Sequence, residues 1–204
     1  MIDFDLFMPL IKTRAQGVPE PIAVAAIRQA AIEFCTRTKI WRGTDRFYAT
    51  NIDAIALPSE SALVEVANAR FNGLSLEPVS MDELNQLFPT TDWMKSTADA
   101  PRYFTQIDMD TIKVVPMCEG YVDLTLILKP SYSAKQLPDL LSEYRQVIAD
   151  GALGEIFTIP NQSYTSSDLA LYHISRFNDQ LDRLSLIAIK GQIRASARTK
   201  TSFF

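Results

Sequence analysis

The feature that most constrains the fold of this chain is a change in hydrophobic period, from helical to strand-like and back to helical. Residues 19–41 read PEPIAVAAIRQAAIEFCTRTKIW and begin with proline, which is well tolerated in the first turn of a helix. About ninety residues of strand-like pattern follow, and helical spacing returns near Pro138. This order predicts an α+β fold: a helical bundle built from the N- and C-terminal helices, with an inserted antiparallel β-sandwich-like domain.

We predict four segments along the 204 residues. Residues 1–42 contain the N-terminal helices of the bundle, residues 43–133 the inserted β-rich domain, residues 134–198 the C-terminal helices, and residues 199–204 an extended tail. A chain of this length buries roughly 70% of its unfolded surface on folding, so one domain with an inserted subdomain is the expected organisation.

The N-terminal region predicts two helices. Asp3 or Asp5 can cap a short helix that runs to about Gln16, and Gly17 supplies a left-handed stop after it. The second helix has a wide apolar face with many small residues, which favours close contact with another helix. This face consists of Ile22, Ala23, Ala26, Ile27, Ala30, Ala31, Phe34 and Cys35.

The middle of the chain has the two-residue period of about six or seven strands. The strand-like segments are Phe47–Leu57 (broken near Asn51), Leu63–Phe71, Leu74–Leu76, Tyr103–Ile107, Thr111–Val115 and Tyr121–Lys129. Asn72-Gly73 stands between two of these segments and is the strongest short-range signal for a β-hairpin. The even-numbered residues from Val122 to Leu128 are apolar and alternate mostly with polar ones, as a sheet with one buried face requires.

A helix start is indicated between the two predicted hairpins. Ser80 and Glu83 have the Ser-x-x-Glu spacing of a capping box and predict a short helix that stops by Phe88. Residues 90–101 are mostly polar and predict a loop. Trp93 in this loop favours an interface slightly over a core position.

The C-terminal third predicts two longer helices. One begins at Pro138, and Gly151 and Gly154 within it predict a second backbone in close contact, because glycine in a helix otherwise costs about 1 kcal/mol relative to alanine. Ser166 or Ser167 caps the last helix. Its apolar stripe has mostly three- and four-residue spacing and consists of Leu169, Tyr172, Phe177, Leu181, Leu184, Ala188 and Gly191.

No motif of the chain indicates catalysis, so we predict a protein that is not an enzyme and has no cofactor and no metal. His173 is the only histidine and lies in a helical pattern without a nucleophile motif beside it. Asp108 and Asp110 have the spacing of a polar hairpin turn rather than of an EF-hand loop. Cys35 and Cys118 lack CxxC spacing and are predicted to be two reduced thiols.

Charge is distributed unevenly along the chain. The formal net charge is −4; no acid follows Asp182, so residues 1–182 carry −9 and the last 22 residues carry +5. This separation is typical of a basic arm that binds an acidic surface on a protein or on nucleic acid. It is equally typical of a solvated helix end whose cations favour the helix dipole. The pattern is compatible with both interpretations.

The apolar runs of the chain are far shorter than the ~20 residues that a membrane span needs. The acidic N-terminus also lacks the basic region of a signal peptide. We therefore expect a soluble protein that is made in the cytoplasm and has no membrane partner.

The order of these elements resembles that of the head-to-tail adaptor (connector) proteins of tailed bacteriophages, and most of all the tail tubular protein A group of short-tailed phages. The matching passages are the helix PEPIAVAAIRQAAIEFC, the strand-to-helix passage LILKPSYSAKQLP, and the helices LPDLLSEYRQVIADGALGEIF and LALYHISRFNDQLDRLSLIAIKGQIR. The resemblance covers nearly the whole chain and implies a helical bundle that carries a β-sandwich-like domain.

This resemblance also implies a function. Such adaptors form a homo-oligomeric ring, usually of twelve copies, in the neck of the virion below the portal protein. The ring joins the portal to the tail nozzle or tail tube protein and surrounds double-stranded DNA, which passes through it during ejection without sequence recognition. Assembly takes place in the host cytoplasm. The portal-binding role falls on the C-terminal residues Arg194, Arg198, Lys200, Phe203 and Phe204.

Two other functions are compatible with the sequence. One is a different interaction module of a phage neck or baseplate, which shares the same physical features and differs in its partner. The other is a small hydrolase or ligand-binding protein that uses Tyr103, Asp108 and Asp123 of the β-rich domain. A pocket with two convergent carboxylates would favour this last function.

Overall fold

The computed structural model describes residues 1–190 of the chain. It contains both helices and antiparallel sheets, which confirms the predicted α+β class. The chain divides into two compact units. Unit 1 combines Met1–Trp41 with the chain from Lys129 onward, and unit 2 consists of Arg42–Leu128.

The described residues form five α-helices and eight strands, one strand more than the upper predicted number. The helices are α1 (Met8–Lys12), α2 (Glu20–Thr38), α3 (Met81–Leu87), α4 (Arg145–Thr158) and α5 (Ser167–Lys190), and short 3-10 helices precede α1 and α4 at Phe4–Leu6 and Asp139–Tyr144. The strands are β1 (Arg42–Ala49), β2 (Ile52–Ala54), β3 (Ser61–Phe71), β4 (Leu74–Ser75), β5 (Glu77–Pro78), β6 (Tyr103–Asp108), β7 (Thr111–Val115) and β8 (Gly120–Pro130).

Helix α2 forms as the sequence predicts and contributes most of one side of the unit 1 core. It follows an extended Pro19 and ends at Thr38, and the next residue, Lys39, has a positive φ of 53° that stops the helix. Seven of the eight residues of the predicted apolar face are buried, and Ile22 is half-buried. This face packs against α4 and α5, so small side chains on α2 allow the three helices to approach closely.

The two glycines of α4 mark places of close approach. A Cβ on Gly154 would lie 2.6 Å from Cγ1 and 3.3 Å from the backbone nitrogen of Ile174 on α5, which confirms the predicted contact with a second backbone. A Cβ on Gly151 would meet side chains instead, at 3.0 Å from both Ala30 and the ring of Phe177. Helix α5 therefore packs closely against α4 at both Gly151 and Gly154.

The predicted apolar stripe of α5 is wrong in its first two turns. Ser166 caps the helix as expected, and its Oγ accepts a hydrogen bond from the backbone N–H of Leu169 at 3.4 Å. Leu169 and Tyr172 are exposed, however. Among the side chains of α5 that the structure describes, the buried ones are Ala170, His173, Phe177 and Leu181, of which Phe177 and Leu181 belong to the predicted stripe. Ala188 and Gly191 of that stripe lie outside the described side chains. The face is set by Phe177, and steps of four and three residues back along a helix lead to positions 173 and 170.

The predicted N-terminal helix is also longer than the observed one. Helix α1 ends at Lys12, and Asp3 stands at the N-cap position of the preceding 3-10 helix without a capping bond. Its carboxylate instead accepts a hydrogen bond from Nε2 of Gln136 at 2.9 Å. Gly17 has a φ of 82°, so the predicted left-handed stop is confirmed.

Unit 2 contains two four-stranded sheets, with strand orders β1-β8-β3-β4 and β2-β7-β6-β5. The Asn72-Gly73 hairpin joins β3 to β4 antiparallel, and both of its central residues have positive φ, as the signal predicts. The even-numbered residues from Val122 to Leu128 on β8 are buried, which confirms the predicted alternation. One pairing departs from the antiparallel prediction, because β5 lies parallel to β6.

Trp93 belongs to a small core in unit 2, so its interpretation as an interface residue is wrong. It packs with Leu84 and Val115, and its Nε1 donates a hydrogen bond to Oδ1 of Asn85 at 2.7 Å. Helix α3, which carries Leu84 and Asn85, begins with the capping box predicted from Ser80. The indole therefore has both an apolar contact and a partner for its N–H, the two conditions for burying tryptophan.

Candidate functional site

The five predicted portal-binding residues lie outside the described part of the chain. They are Arg194, Arg198, Lys200, Phe203 and Phe204, whereas the described residues end at Lys190. The candidate sites in the described residues are therefore those that the sequence indicated in the β-rich region, together with side-chain clusters found only in the folded chain.

The structure does not bring Tyr103, Asp108 and Asp123 together. Tyr103 and Asp108 occupy opposite ends of β6, about 16 Å apart along the strand. Asp123 lies on β8 in the other sheet, where its Oδ1 pairs with Nε of Arg46 at 3.4 Å. The ring of Tyr103 packs edge-on against Phe88, with centroids 6.5 Å apart. This arrangement counts against a hydrolase that uses these three residues.

Asp108 and Asp110 flank the exposed Met109 in the turn between β6 and β7. The backbone N–H of Asp108 donates to Oγ1 of Thr111 at 3.1 Å, so the turn is closed by its own polar groups. Across residues 1–190, no three His, Cys, Asp or Glu side chains form a group that could hold a metal ion. These observations agree with a polar hairpin turn.

Two buried titratable side chains, Cys35 and Lys113, are held in unreactive settings. Burial raises the pKa of Cys35 to about 12, so its thiol stays protonated at neutral pH. Burial lowers the pKa of Lys113 on β7. Its Nζ donates a hydrogen bond to Oδ1 of Asn51, and Asp53 acts against the effect of burial by favouring the charged amine. Both groups have structural environments rather than the open access that a nucleophile needs.

Asp150 on α4 has a side chain that is 1% exposed, and it has several charged and polar partners in the described part of unit 1. Its Oδ1 accepts from Nη1 of Arg14 at 3.3 Å and lies 3.0 Å from Nδ1 of His173. Its Oδ2 lies 3.1 Å from Nε of Arg176. One buried carboxylate thus links the segment between α1 and α2 with α4 and α5. We call these four residues the Asp150 cluster.

The contacts of the Asp150 cluster hold the helices of unit 1 together and do not resemble a catalytic site. A buried charge is stable only when its partners satisfy it, and two guanidinium groups and an imidazole do so here. The ring of His173 stacks on Phe157 with centroids 5.7 Å apart, which fixes the ring's orientation. The pKa of Arg176 is raised by the hydrogen bond that it donates to the Tyr172 hydroxyl and by the charge of Asp150. Sequence reasoning placed His173 on a helix but missed this cluster, because Arg14 and Asp150 are 136 residues apart.

A second candidate surface lies on the sheet formed by β1 and β8. The rings of Tyr48 and Tyr121 meet edge to face with centroids 5.3 Å apart, and the guanidinium carbon of Arg46 lies 4.8 Å above the Tyr121 ring. All three side chains are exposed. Tyrosine and arginine carry much of the binding energy at protein interfaces, so this face has the composition of a contact surface. The two-residue strand period placed Tyr48 and Tyr121 on strands, but their pairing depends on the β1/β8 register.

The family comparison identifies the type of protein. Residues 7–201 match the model of the SU10 adaptor protein family. The chain belongs to this family. The match confirms the resemblance of the sequence to bacteriophage head-to-tail adaptors. No curated protein matches the chain.

Membership of this family carries three further statements. A structural adaptor interacts with the portal and tail proteins of the phage and is a component of the virion neck. Such a family also implies a protein without catalytic function.

Within residues 1–190, no helix is both long enough and apolar enough to span a membrane.

Proposed function

We propose that this protein is the head-to-tail adaptor of a short-tailed bacteriophage and forms a ring of twelve copies below the portal. The ring joins the portal to the tail nozzle or tail tube protein and lines the channel through which double-stranded DNA leaves the head. The observation that carries this proposal is the family match over residues 7–201, which covers almost the whole chain.

The charge distribution supports a role in the DNA channel. Residues 1–182 carry a formal charge of −9. Each cation that neutralises a phosphate adds to DNA affinity, so a net negative wall favours sliding of DNA over binding. The expected contact with DNA is therefore passive and independent of sequence.

The C-terminal residues are the proposed portal contact. Arg194, Arg198 and Lys200 supply positive charge, and Phe203 and Phe204 supply apolar anchors. Residues 191–204 could reach about 45 Å if extended, which is long enough to cross a subunit boundary. Twelve such arms that bind together would give an avidity that no single arm has.

Truncation tests the portal contact. We expect deletion of residues 191–204 to abolish co-purification with the portal protein of the same phage and to leave the thermal melting of residues 1–190 nearly unchanged. A shorter deletion of residues 199–204 is the matched control: it removes both phenylalanines and Lys200 but keeps Arg194 and Arg198. It should weaken binding by an intermediate factor. Portal binding that survives the longer deletion would remove the proposed role of the C-terminal residues.

The same experiment separates the proposal from a neck or baseplate module that does not bind the portal. An adaptor should co-purify with the portal protein when no other tail component is present. Co-purification with a tail or baseplate protein alone would instead assign the protein to a position farther from the head.

A further inference from the structure

A groove runs between α2 and α4 in unit 1 and reaches α5. It consists of two adjoining cavities of about 510 Å³ and about 300 Å³, which share Glu155 and Thr158 as lining residues. We call this the acidic groove. The lining residues that matter here are Ala25, Ala26, Ala30, Glu33, Gly151 and Glu155.

The acidic groove combines a floor of small residues with two carboxylates. Alanine and glycine on facing helices leave room for a further helix to approach closely. Burial of the carboxyl group and the charge of Glu33 both raise the pKa of Glu155, although part of its side chain reaches solvent. Glu33 is itself paired with Arg37 at 3.5 Å, one turn farther along α2. Glu155 carries no such pairing among the ion pairs of the described residues, so the groove suits an apolar side chain with a cation beside it.

Two exposed side chains in the second half of α5, one apolar and one cationic, have this chemistry. Leu186 is 61% exposed, and Arg183, three residues before it, is exposed on the same face. Lys190 adds a positive charge four residues later in the sequence. No acid follows Asp182 in the sequence. We call Arg183 and Leu186 the α5 ridge.

The α5 ridge cannot fill the acidic groove of its own chain. The groove is lined on α5 by residues up to Asn178, and Leu186 lies eight residues farther along the same continuous helix. This separation is about 12 Å along the helix axis. The two surfaces are complementary in charge and apolar character but are fixed apart on one rigid element. Contact between them requires two molecules.

We propose that the acidic groove of one copy binds the α5 ridge of a second copy. This inference rests on the ring of the proposed function and names the contact between neighbours. The two surfaces are different, so the contact is heterologous, and repeated contacts of this type close into a ring when the rotation between copies permits. Leu186 enters the apolar part of the groove, and Arg183 meets the carboxylates of Glu33 and Glu155.

Two complementary variants test the contact in solution. Ala25→Trp blocks the groove at an exposed position of α2, and Arg183→Glu combined with Leu186→Asp disables the ridge. We expect each variant to self-associate at least about tenfold more weakly than the parent protein in sedimentation velocity. Mixed one to one, they should form a heterodimer and nothing larger, because only one intact groove and one intact ridge can meet.

Matched controls separate the contact from general surface effects. Leu171→Asp changes a leucine that is 68% exposed near the other end of α5, and Ala67→Trp changes an exposed alanine on β3. Both should associate as the parent does. The inference is overturned if the parent is monomeric at its highest soluble concentration, if the blocked variants associate as well as the controls, or if the mixture yields no heterodimer.

Portal binding distinguishes this inference from the function on which it rests. If Ala25→Trp still assembles a complete collar on the portal, the adaptor function stands and the groove contact is wrong. If the parent protein itself does not bind the portal, the adaptor function fails independently of how copies associate.

Discussion

Substitution of Asp150 should destabilise unit 1 by an amount that follows from its contacts. In Asp150→Asn, the amide can keep only one acceptor oxygen. The least costly orientation keeps Arg14 and His173 and turns an N–H toward Arg176, which loses its bond of 3.1 Å. A hydrogen bond to a charged group contributes about 1.5–3 kcal/mol. Because the Arg176 side chain is 41% exposed and can turn to water, we expect a loss of about 2 kcal/mol.

Asp150→Ala should cost more. It removes the acceptor from every partner, and the side chain of His173 is only 6% exposed and has no comparable access to solvent. Removal of one member of a buried ion pair typically costs about 3–5 kcal/mol of stability. Because both arginines are partly exposed, we expect Asp150→Ala to lose about 3 kcal/mol. For a chain of this size, about 3 kcal/mol lowers the melting temperature by roughly 6–12 °C.

The two tryptophans allow the assay to report each unit separately. Trp41 packs against the core of unit 1, and Trp93 is buried in unit 2. In backgrounds with Trp93→Phe or Trp41→Phe, urea unfolding followed by fluorescence reads one unit at a time. We expect both Asp150 variants to shift the Trp41 transition, with alanine the larger effect. Asp179→Asn, which changes an exposed acid of α5, is the control and should shift it by less than about 0.5 kcal/mol.

An Asp150→Ala protein whose Trp41 transition coincides with that of the Asp179→Asn control would show that the Asp150 cluster does not stabilise unit 1. A larger loss of stability in Asp150→Asn than in Asp150→Ala would show the same, because the asparagine keeps an acceptor that the alanine lacks.

Three further predictions concern single positions. Gly154→Ala should lower stability by about 1–2 kcal/mol in urea unfolding, because overpacking against Ile174 outweighs the gain in helix propensity, and Ile174→Ala should recover part of the loss. A thiol reagent at pH 8 should label the half-buried Cys118 in the native protein and the buried Cys35 only after unfolding; rapid labelling of both would contradict the assignment. The pKa of Glu155 is raised in the folded state, so its contribution to stability is present at acidic pH and is lost as the pH rises. The melting temperature of Glu155→Gln minus that of the parent should therefore be larger at pH 7 than at pH 4. An equal difference at both pH values would contradict the raised pKa.

Local signals predicted local structure well. Asn72-Gly73 gave the hairpin, Ser80 and Glu83 gave the start of α3, and Gly17 gave a left-handed residue. Each of these features depends on backbone conformation within a few residues, and such preferences are encoded where they act.

The sequence was less informative where a partner element decides which side chains are buried. Two neighbouring stripes of α5 are both apolar enough to form a core, and contact with α4 at Gly154 selects the one that contains His173. Trp93 lies in a polar segment, and its burial depends on α3 and β7. The Asp150 cluster joins residues whose proximity only the folded helices create.

Copies of this protein are expected to form a collar on the portal, and electron microscopy tests this most directly. The protein should be co-purified with the portal protein of the same phage and imaged in negative stain. A ring of density stacked coaxially on the portal, with the same number of copies in every particle, is the expected result. Bare portal rings, with this protein eluting separately, would contradict the claim.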